Sequence, residues 1–182
     1  MLLHVIKINV LATVVFEVFF GAFWDIEVLI HHGGTEDTEK YFCVLIFMTK
    51  KLIHSWSYEI IGCAIEVHQH LGPGLLESVY EACLQHELTL AGFEVQRQGK
   101  VPVHYKGLKL QADLRFDLLV NDTILIENKS VEVIMPIHKA QVLTYMKLLQ
   151  KPKALGFNFN TANLNSQMFS LVNELYSTLP EE

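Results

Sequence analysis

LRFDLLVNDTILIENK, residues Leu114–Lys129, sets two apolar runs, Leu118–Val120 and Ile124–Ile126, on either side of Asn121-Asp122. Asn and Asp tolerate the left-handed backbone that tight turns need, so the stretch reads as a β-hairpin. With a three-residue loop of Asn121, Asp122 and Thr123, Val120 pairs with Ile124, Leu118 with Ile126 and Asp117 with Glu127. Side chains alternate faces along a strand, so Asp117, Glu127 and Lys129 then share one face. A two-residue loop would instead pair Phe116 with Glu127 and turn Asp117 to the other side, because a one-residue slip flips every side chain. The longer loop gathers two carboxylates and an ammonium beside an apolar hairpin. The plainer alternative is a set of solvated strand ends or a cross-strand ion pair worth under about 1 kcal/mol.

The full chain of 182 residues suits one domain with a complete core and an appendage. A hydrophobic content of 51% with 19% charged residues is globular in character and excludes a disordered chain. The net charge of −6 argues against a general polyanion binder, but its distribution is uneven. In residues 1–47 only Lys7 and Lys40 stand against Glu17, Asp25, Glu27, Glu36, Asp37 and Glu39, so the remainder is close to neutral. The cysteines, Cys43, Cys63 and Cys83, are odd in number, form no CxxC and have no zinc-type spacing with histidine. That pattern points to a reducing, cytoplasmic setting and gives no structural metal site.

Ile8–Trp24 is apolar apart from Asn9, Thr13 and Glu17. A membrane span needs about 20 apolar residues, and a carboxylate at its middle costs roughly 2.5–3.5 kcal/mol. Lys7 ahead of the run gives it the look of a secretory leader, yet no small-x-small cleavage site follows. His31-His32-Gly33-Gly34 and the polar residues after it read as a linker, and Met48-Thr49-Lys50-Lys51 has the look of a translation start. The expected organisation is therefore an extension over 1–47, with a start assigned too far upstream as one explanation, and a folded domain over 48–182.

That domain opens with helical periodicity from Ser55 to Leu71, broken at Gly72-Pro73-Gly74. A second helix is expected from Leu75 to about Ala91, with Leu76, Val79, Tyr80, Cys83, Leu84 and Leu88 inward and Gly92 at its end. Glu77 and Tyr80, three residues apart, share a helical face. A carboxylate in a first helical turn has an ordinary explanation in the helix dipole. Further on, Phe93–Gln98, Val101–Tyr105, Leu108–Val120 and Thr123–Lys129 read as an antiparallel meander. Arg97, Lys100, His104, Lys106, Lys109 and Arg115 lie in it against Asp113 alone, a stretch suited to a phosphate backbone or simply to solvent. A helix from Pro136 to Gln150 places Gln141 and Tyr145 on one stripe with His138 and turns Val142, Leu143, Met146 and Leu149 inward. A strand over Ala154–Phe159 and an amphipathic helix over Leu164–Leu179 complete the chain.

GLLESVY (Gly74–Tyr80), preceded by IIGCAIEVHQHLGPG, resembles the signature of the GxxExxY proteins, a family within the PD-(D/E)XK nuclease superfamily. The resemblance runs from about Leu52 to Asn160. Asp117 followed by Glu127-Asn128-Lys129 resembles the superfamily's Asp…Glu-x-Lys core, with Asn128 where that family commonly has an apolar residue. Gln141 and Tyr145 resemble the Gln-x-x-x-Tyr element of its exonuclease branch. The resemblance implies an α/β sandwich with an αβββαβ core, a mixed sheet flanked by helices. It further implies Mg²⁺, with Mn²⁺ as substitute, held by Asp117 and Glu127, completed by Glu77 and the backbone carbonyl of Asn128. Lys129 would orient the attacking water or stabilise the negative charge developing on phosphorus; Gln141, Tyr145 and Arg115 would position the substrate. DNA is the expected substrate, RNA the second choice, with no membrane partner for 48–182. The rival expectation is the same fold binding nucleic acid or a protein without turnover, and a third is a protein tethered to a membrane through residues 8–24.

Overall fold

The computed structural model describes residues 3–9, 41–110 and 113–182. Two compact units separate near residue 50, Met1–Thr49 and Lys50–Glu182. In the first, β1 (Leu3–Asn9) pairs antiparallel with β2 (Tyr41–Phe47). Most of the apolar run to Trp24, and the whole of the His31–Gly34 linker, lie outside the described residues. No helix among the described residues is long and apolar enough to cross a membrane.

The second unit begins with α1 (Lys50–Leu71) and α2 (Glu77–Leu90), joined through Gly72-Pro73-Gly74. Gly72 and Gly74 both adopt positive φ, 68° and 99°, which costs glycine nothing and lets the chain reverse between the helices. Tyr80 fixes this reversal. Its hydroxyl donates to the Gly72 carbonyl at 2.6 Å and accepts from the Leu75 amide at 3.1 Å, while its fully buried ring stacks on Phe159 at 4.5 Å. The tyrosine three residues after Glu77 thus ties the start of α2 to the core.

A five-stranded mixed sheet follows, in the order β3 (Val95–Arg97), β6 (Leu118–Val120), β7 (Ile124–Lys129), β8 (Lys153–Asn158) and β9 (Met168–Val172). All neighbours run antiparallel except β7 and β8, which are parallel and joined through α3 (Pro136–Leu149), since a parallel pair needs a crossover. Leu119, Leu125 and Ala154 pack under Val142, Tyr145 and Met146 of α3. By alternation Leu118, Val120, Ile124 and Ile126 face the other side, toward α1 and α2, and all four are buried. This is the α/β sandwich with helices on both faces of a mixed sheet that the sequence implies.

Two expectations about elements need correcting. The strands do not form one consecutive meander: β4 (Val103–Tyr105) and β5 (Leu108–Leu110) make a separate two-stranded hairpin, and β3 pairs with β6 across it. The tail is not one helix. Asn163 and Asn173 accept backbone N–H bonds through their side chains and start a 3₁₀ turn (Leu164–Gln167) and the short α4 (Glu174–Ser177). Between them the alternating exposure of Met168–Val172 makes edge strand β9. Leu76, Val79 and Leu143, expected inward, are exposed. Leu76 precedes the first residue of α2 and so lies off its buried stripe.

Asn128, in the middle of β7, is completely buried, and neither its Nδ2 nor its Oδ1 finds a hydrogen-bond partner. An unpaired buried amide costs about 1–3 kcal/mol, whereas an apolar group of similar shape does not. Asn128→Leu is therefore expected to raise the unfolding free energy by about 1–2 kcal/mol in urea denaturation. A loss of stability would mean that the amide is satisfied in solution.

Candidate active site

The site is built at the open end of the β6–β7 hairpin, and the loop at its other end sets its register. Asn121 and Asp122 both have positive φ, 46° and 47°, the Thr123 amide donates to the Val120 carbonyl at 2.9 Å, and Val120 stands opposite Ile124. This is the three-residue loop. The Asn121 side chain accepts from the Glu94 amide at 3.0 Å, and Asp122 pairs with Lys151 at 2.7 Å, which ties the loop to β3 and to the end of α3. Carried two residues on from the Leu119–Leu125 pair, the register puts Asp117 and Glu127 on the face covered by α3.

Asp117 and Glu127 are both inside the protein, and each feels the other. Burial, then the Glu127 charge, pushes the Asp117 carboxyl up to about 7, against an amide hydrogen bond from Asn128 at 2.7 Å and the Lys129 charge. Glu127 is 5% exposed; burial raises its pKa, and its hydrogen bond from Lys129 only partly opposes that. Lys129 donates to Glu127 Oε1 at 2.5 Å and to the Asn128 carbonyl at 3.2 Å, and lies 3.6 Å from Glu77 Oε1. Burial alone would lower the Lys129 pKa. The hydrogen bond it donates to Glu127 and the charges of Glu127, Glu77 and Asp117 outweigh it and hold the ammonium above its ordinary value.

The predicted residues do not converge equally. Glu127, Lys129 and Asp117 form the centre, with Glu127 buried and the other two half-buried, whereas Glu77 sits at the rim with its side chain 40% exposed and reaches the centre through Lys129. The Asn128 carbonyl faces the Lys129 ammonium. Gln141 donates to the Tyr145 hydroxyl at 3.0 Å, so this pair is formed on α3, and His138 one turn earlier is close enough for its charge to act on Glu127. Arg115 donates to the Gln98 carbonyl at 3.1 Å and pairs with Asp113 at 3.3 Å, beside the centre but not in it.

Two polar residues that the sequence reading passed over hold Asp117 from behind. Glu81, one turn after Glu77 on α2, is 3% exposed and accepts from Arg97 at 2.5 Å and from Gln98 Nε2 at 2.7 Å. The same Gln98 nitrogen lies 3.5 Å from Asp117 Oδ1, and the Gln98 amide donates to the Asp117 carbonyl at 2.8 Å. Gln98 adopts φ +52°, a conformation that costs a non-glycine residue roughly 1–2 kcal/mol, and these contacts hold it there. Glu77 and Glu81 are spaced four apart on one helical stripe, and that spacing was the signal available in the sequence.

On the other side of Glu127 in the sheet stands Gly156, where a Cβ would lie 2.1 Å from the Phe169 ring. An aromatic ring therefore closes over the backbone next to Glu127, and a larger residue there would displace it. Among the described residues no three His, Cys, Asp or Glu side chains are grouped to hold a metal ion. A buried and a half-buried carboxylate with raised pKa values and an adjacent carbonyl are nonetheless a hard-oxygen donor set, and Mg²⁺ commonly takes one or two carboxylates and keeps its waters. The residues fit such an ion, with Glu77 as an outer member.

A model of the PD-(D/E)XK nuclease superfamily matches residues 54–170, well over half of the chain. The chain belongs to the PD-(D/E)XK nuclease superfamily. No curated protein and no solved structure matches it. Its PD-(D/E)XK match runs from within α1 to within β9, so the Asp117, Glu127 and Lys129 hairpin lies inside the matched region. Members of this superfamily typically use divalent metals and act on nucleic acids, which makes the protein nuclease-like.

The raised pKa of Asp117 fixes the sign of a pH effect on the metal-free protein. Between its ordinary 3.8 and about 7 the native state keeps a proton that the unfolded chain has lost. The stability this contributes is fully present below the unfolded value and disappears as pH rises through about 7. With chelator present, melting temperature is expected to fall from pH 4 to 7, and Asp117→Asn to flatten that fall. An unchanged slope in the variant would place the titration elsewhere.

Proposed function

We propose that this protein hydrolyses phosphodiester bonds of DNA, with RNA as the alternative substrate, in a reaction that needs Mg²⁺ or Mn²⁺. The observation that carries the reading is the register of β6 and β7, which sets Asp117 and Glu127 on one face with the Lys129 ammonium 2.5 Å from Glu127. The GLLESVY signature supports a place among the GxxExxY proteins, and the domain over 48–182 is taken as the working unit, acting in the cytoplasm.

Asp117, Glu127 and the Asn128 carbonyl would hold the cation, with Glu77 reaching it through water. When bound, such an ion polarises a phosphodiester oxygen and lowers the pKa of a bound water. Lys129 is a donor in this scheme. An ammonium kept charged by three carboxylates cannot take a proton at neutral pH, but it can hydrogen-bond a phosphoryl oxygen as negative charge grows on it. Glu127 places that ammonium and stops it from swinging into solvent. Gln98 and Glu81 act through Asp117, fixing its backbone and one carboxylate oxygen. Gln141, with its amide already ordered by Tyr145, would offer a donor to substrate phosphate, and Arg115 a cation beside it.

The rival reading is a nuclease fold that binds without turnover. One feature favours it: Glu77 stands at the rim, and the centre holds only the buried Glu127 and the half-buried Asp117. Labelled single- and double-stranded DNA and RNA, incubated with Mg²⁺, Mn²⁺ or chelator, separate the two. Cleavage is expected only with the cations, and Lys129→Ala is expected to lower it by about 10²-fold or more while leaving substrate affinity intact. Salt-sensitive binding with no cleavage of any substrate would establish the rival reading.

A further inference from the structure

The hairpin β4–β5 forms a sheet of its own apart from the main one, and all its strand residues but the half-buried Val103 are exposed. Its partners are Val103↔Leu110, His104↔Lys109 and Tyr105↔Leu108, with Lys106 and Gly107 at the turn, both at positive φ. Those two positive values match the twist of a two-residue hairpin turn. Alternation gives the hairpin two unlike faces: Val103, Tyr105, Leu108 and Leu110 on one, His104 and Lys109 on the other. On the apolar face Tyr105 is 59% exposed and Leu108 57%. A two-stranded hairpin is marginally stable in water by itself, so an uncovered apolar face of this kind calls for something to lie on it.

Charge says what. From Gln98 to Leu110 the chain carries Lys100, Lys106 and Lys109 and no aspartate or glutamate, in a protein of net charge −6. The Lys106 ammonium lies 5.4 Å from the centre of the Tyr105 ring, so a cation and an aromatic plane are presented together at the tip. Position says where. Lys100 bridges to Arg115, two residues before Asp117, so the hairpin rises directly from the edge of the candidate active site. Six residues separate Lys100 from the tip, a reach of at most about 20 Å.

We propose that β4–β5 is a strand-holding arm: a single-stranded stretch of the nucleic acid lies along its apolar face, a base stacked on Tyr105 and a phosphate on Lys106. Single strands are held in this way, by aromatic platforms beside a cationic track, whereas the bases of a paired duplex are not free to stack. The inference rests on the nucleic-acid reading above and adds the form of the substrate near the site.

The test uses the full chain with chelator and measures anisotropy of a dye-labelled oligothymidylate, and of the same strand in a blunt duplex. Tyr105→Ala is expected to weaken single-strand binding roughly tenfold, with Tyr105→Phe close to wild type. Lys106→Glu is expected to weaken it as well and to flatten the salt dependence by about 0.7, the slope for one phosphate contact on a single strand. Melting temperatures of all variants should match wild type, since the arm lies outside the main sheet. Wild-type affinity in the Tyr105→Ala protein, or an equal loss on blunt duplex, overturns the proposal even if cleavage is intact. Binding of anionic phosphatidylserine vesicles in place of the oligonucleotide also overturns it. Loss of binding in the variants, with no cleavage by wild type, upholds the arm and rejects the hydrolytic reading.

Discussion

Two carboxylates enclosed on one face of a hairpin repel each other and lose their hydration, and this unfavourable pairing is what the rest of the domain is arranged to sustain. Asp117 and Glu127 would relax apart, or stay protonated, without fixed partners. The protein supplies these from three directions. The Asn128 amide and the Lys129 ammonium come from β7 itself, and Gln98 comes from the turn after β3. Behind Gln98, Glu81 and Arg97 complete a hydrogen-bonded run from α2 to the sheet. Removing one partner of such a buried set leaves an uncompensated charge, so the cluster stands or falls together.

The same requirement explains features that have no direct part in chemistry. Tyr80 locks the reversal at Gly72-Pro73-Gly74 and thereby fixes where α2 starts, which fixes the height of Glu77 and Glu81 over the sheet. Asn121 and Asp122, in left-handed backbone, set the hairpin register. A single-residue slip there would carry Asp117 to the face of Ile126 and dissolve the cluster. Lys129, at the end of β7, has its carbonyl bonded to the Phe159 amide, so the last turn of backbone before the loop is also held.

Much of this was legible in the chain. The apolar runs around Asn121-Asp122 marked a hairpin by local rules of turn chemistry and alternation, but they left a two-residue loop open. The longer loop is favoured for the charged residues it gathers, and the register bears it out. The glycine-proline break and the stripe through Tyr80 and Leu84 gave the paired helices for the same reason. What was not legible depended on distant partners. That β3 pairs with β6, skipping β4–β5, is decided by packing of Phe116 against Gly99 and not by any turn signal. Met168–Val172 becomes a strand because β8 offers it an edge, although its spacing also suits a helix. Glu81 looked like an ordinary helical glutamate until Arg97 and Gln98 came to meet it. Glu77, expected among the ligands, stays at the rim since the first turn of α2 lies over Lys129 and not over Asp117.

The central claim is that the buried acidic pair is completed by a divalent cation that displaces a proton. Calorimetric titration of the chelator-treated protein with Mg²⁺ at pH 7, repeated in buffers of different ionisation enthalpy, tests it directly. Binding should release protons, seen as buffer-dependent heat, because Asp117 titrates near that pH, and Asp117→Asn should lose both the binding and the release. Mg²⁺ binding with no buffer dependence, or the same binding in the variant, would contradict the account.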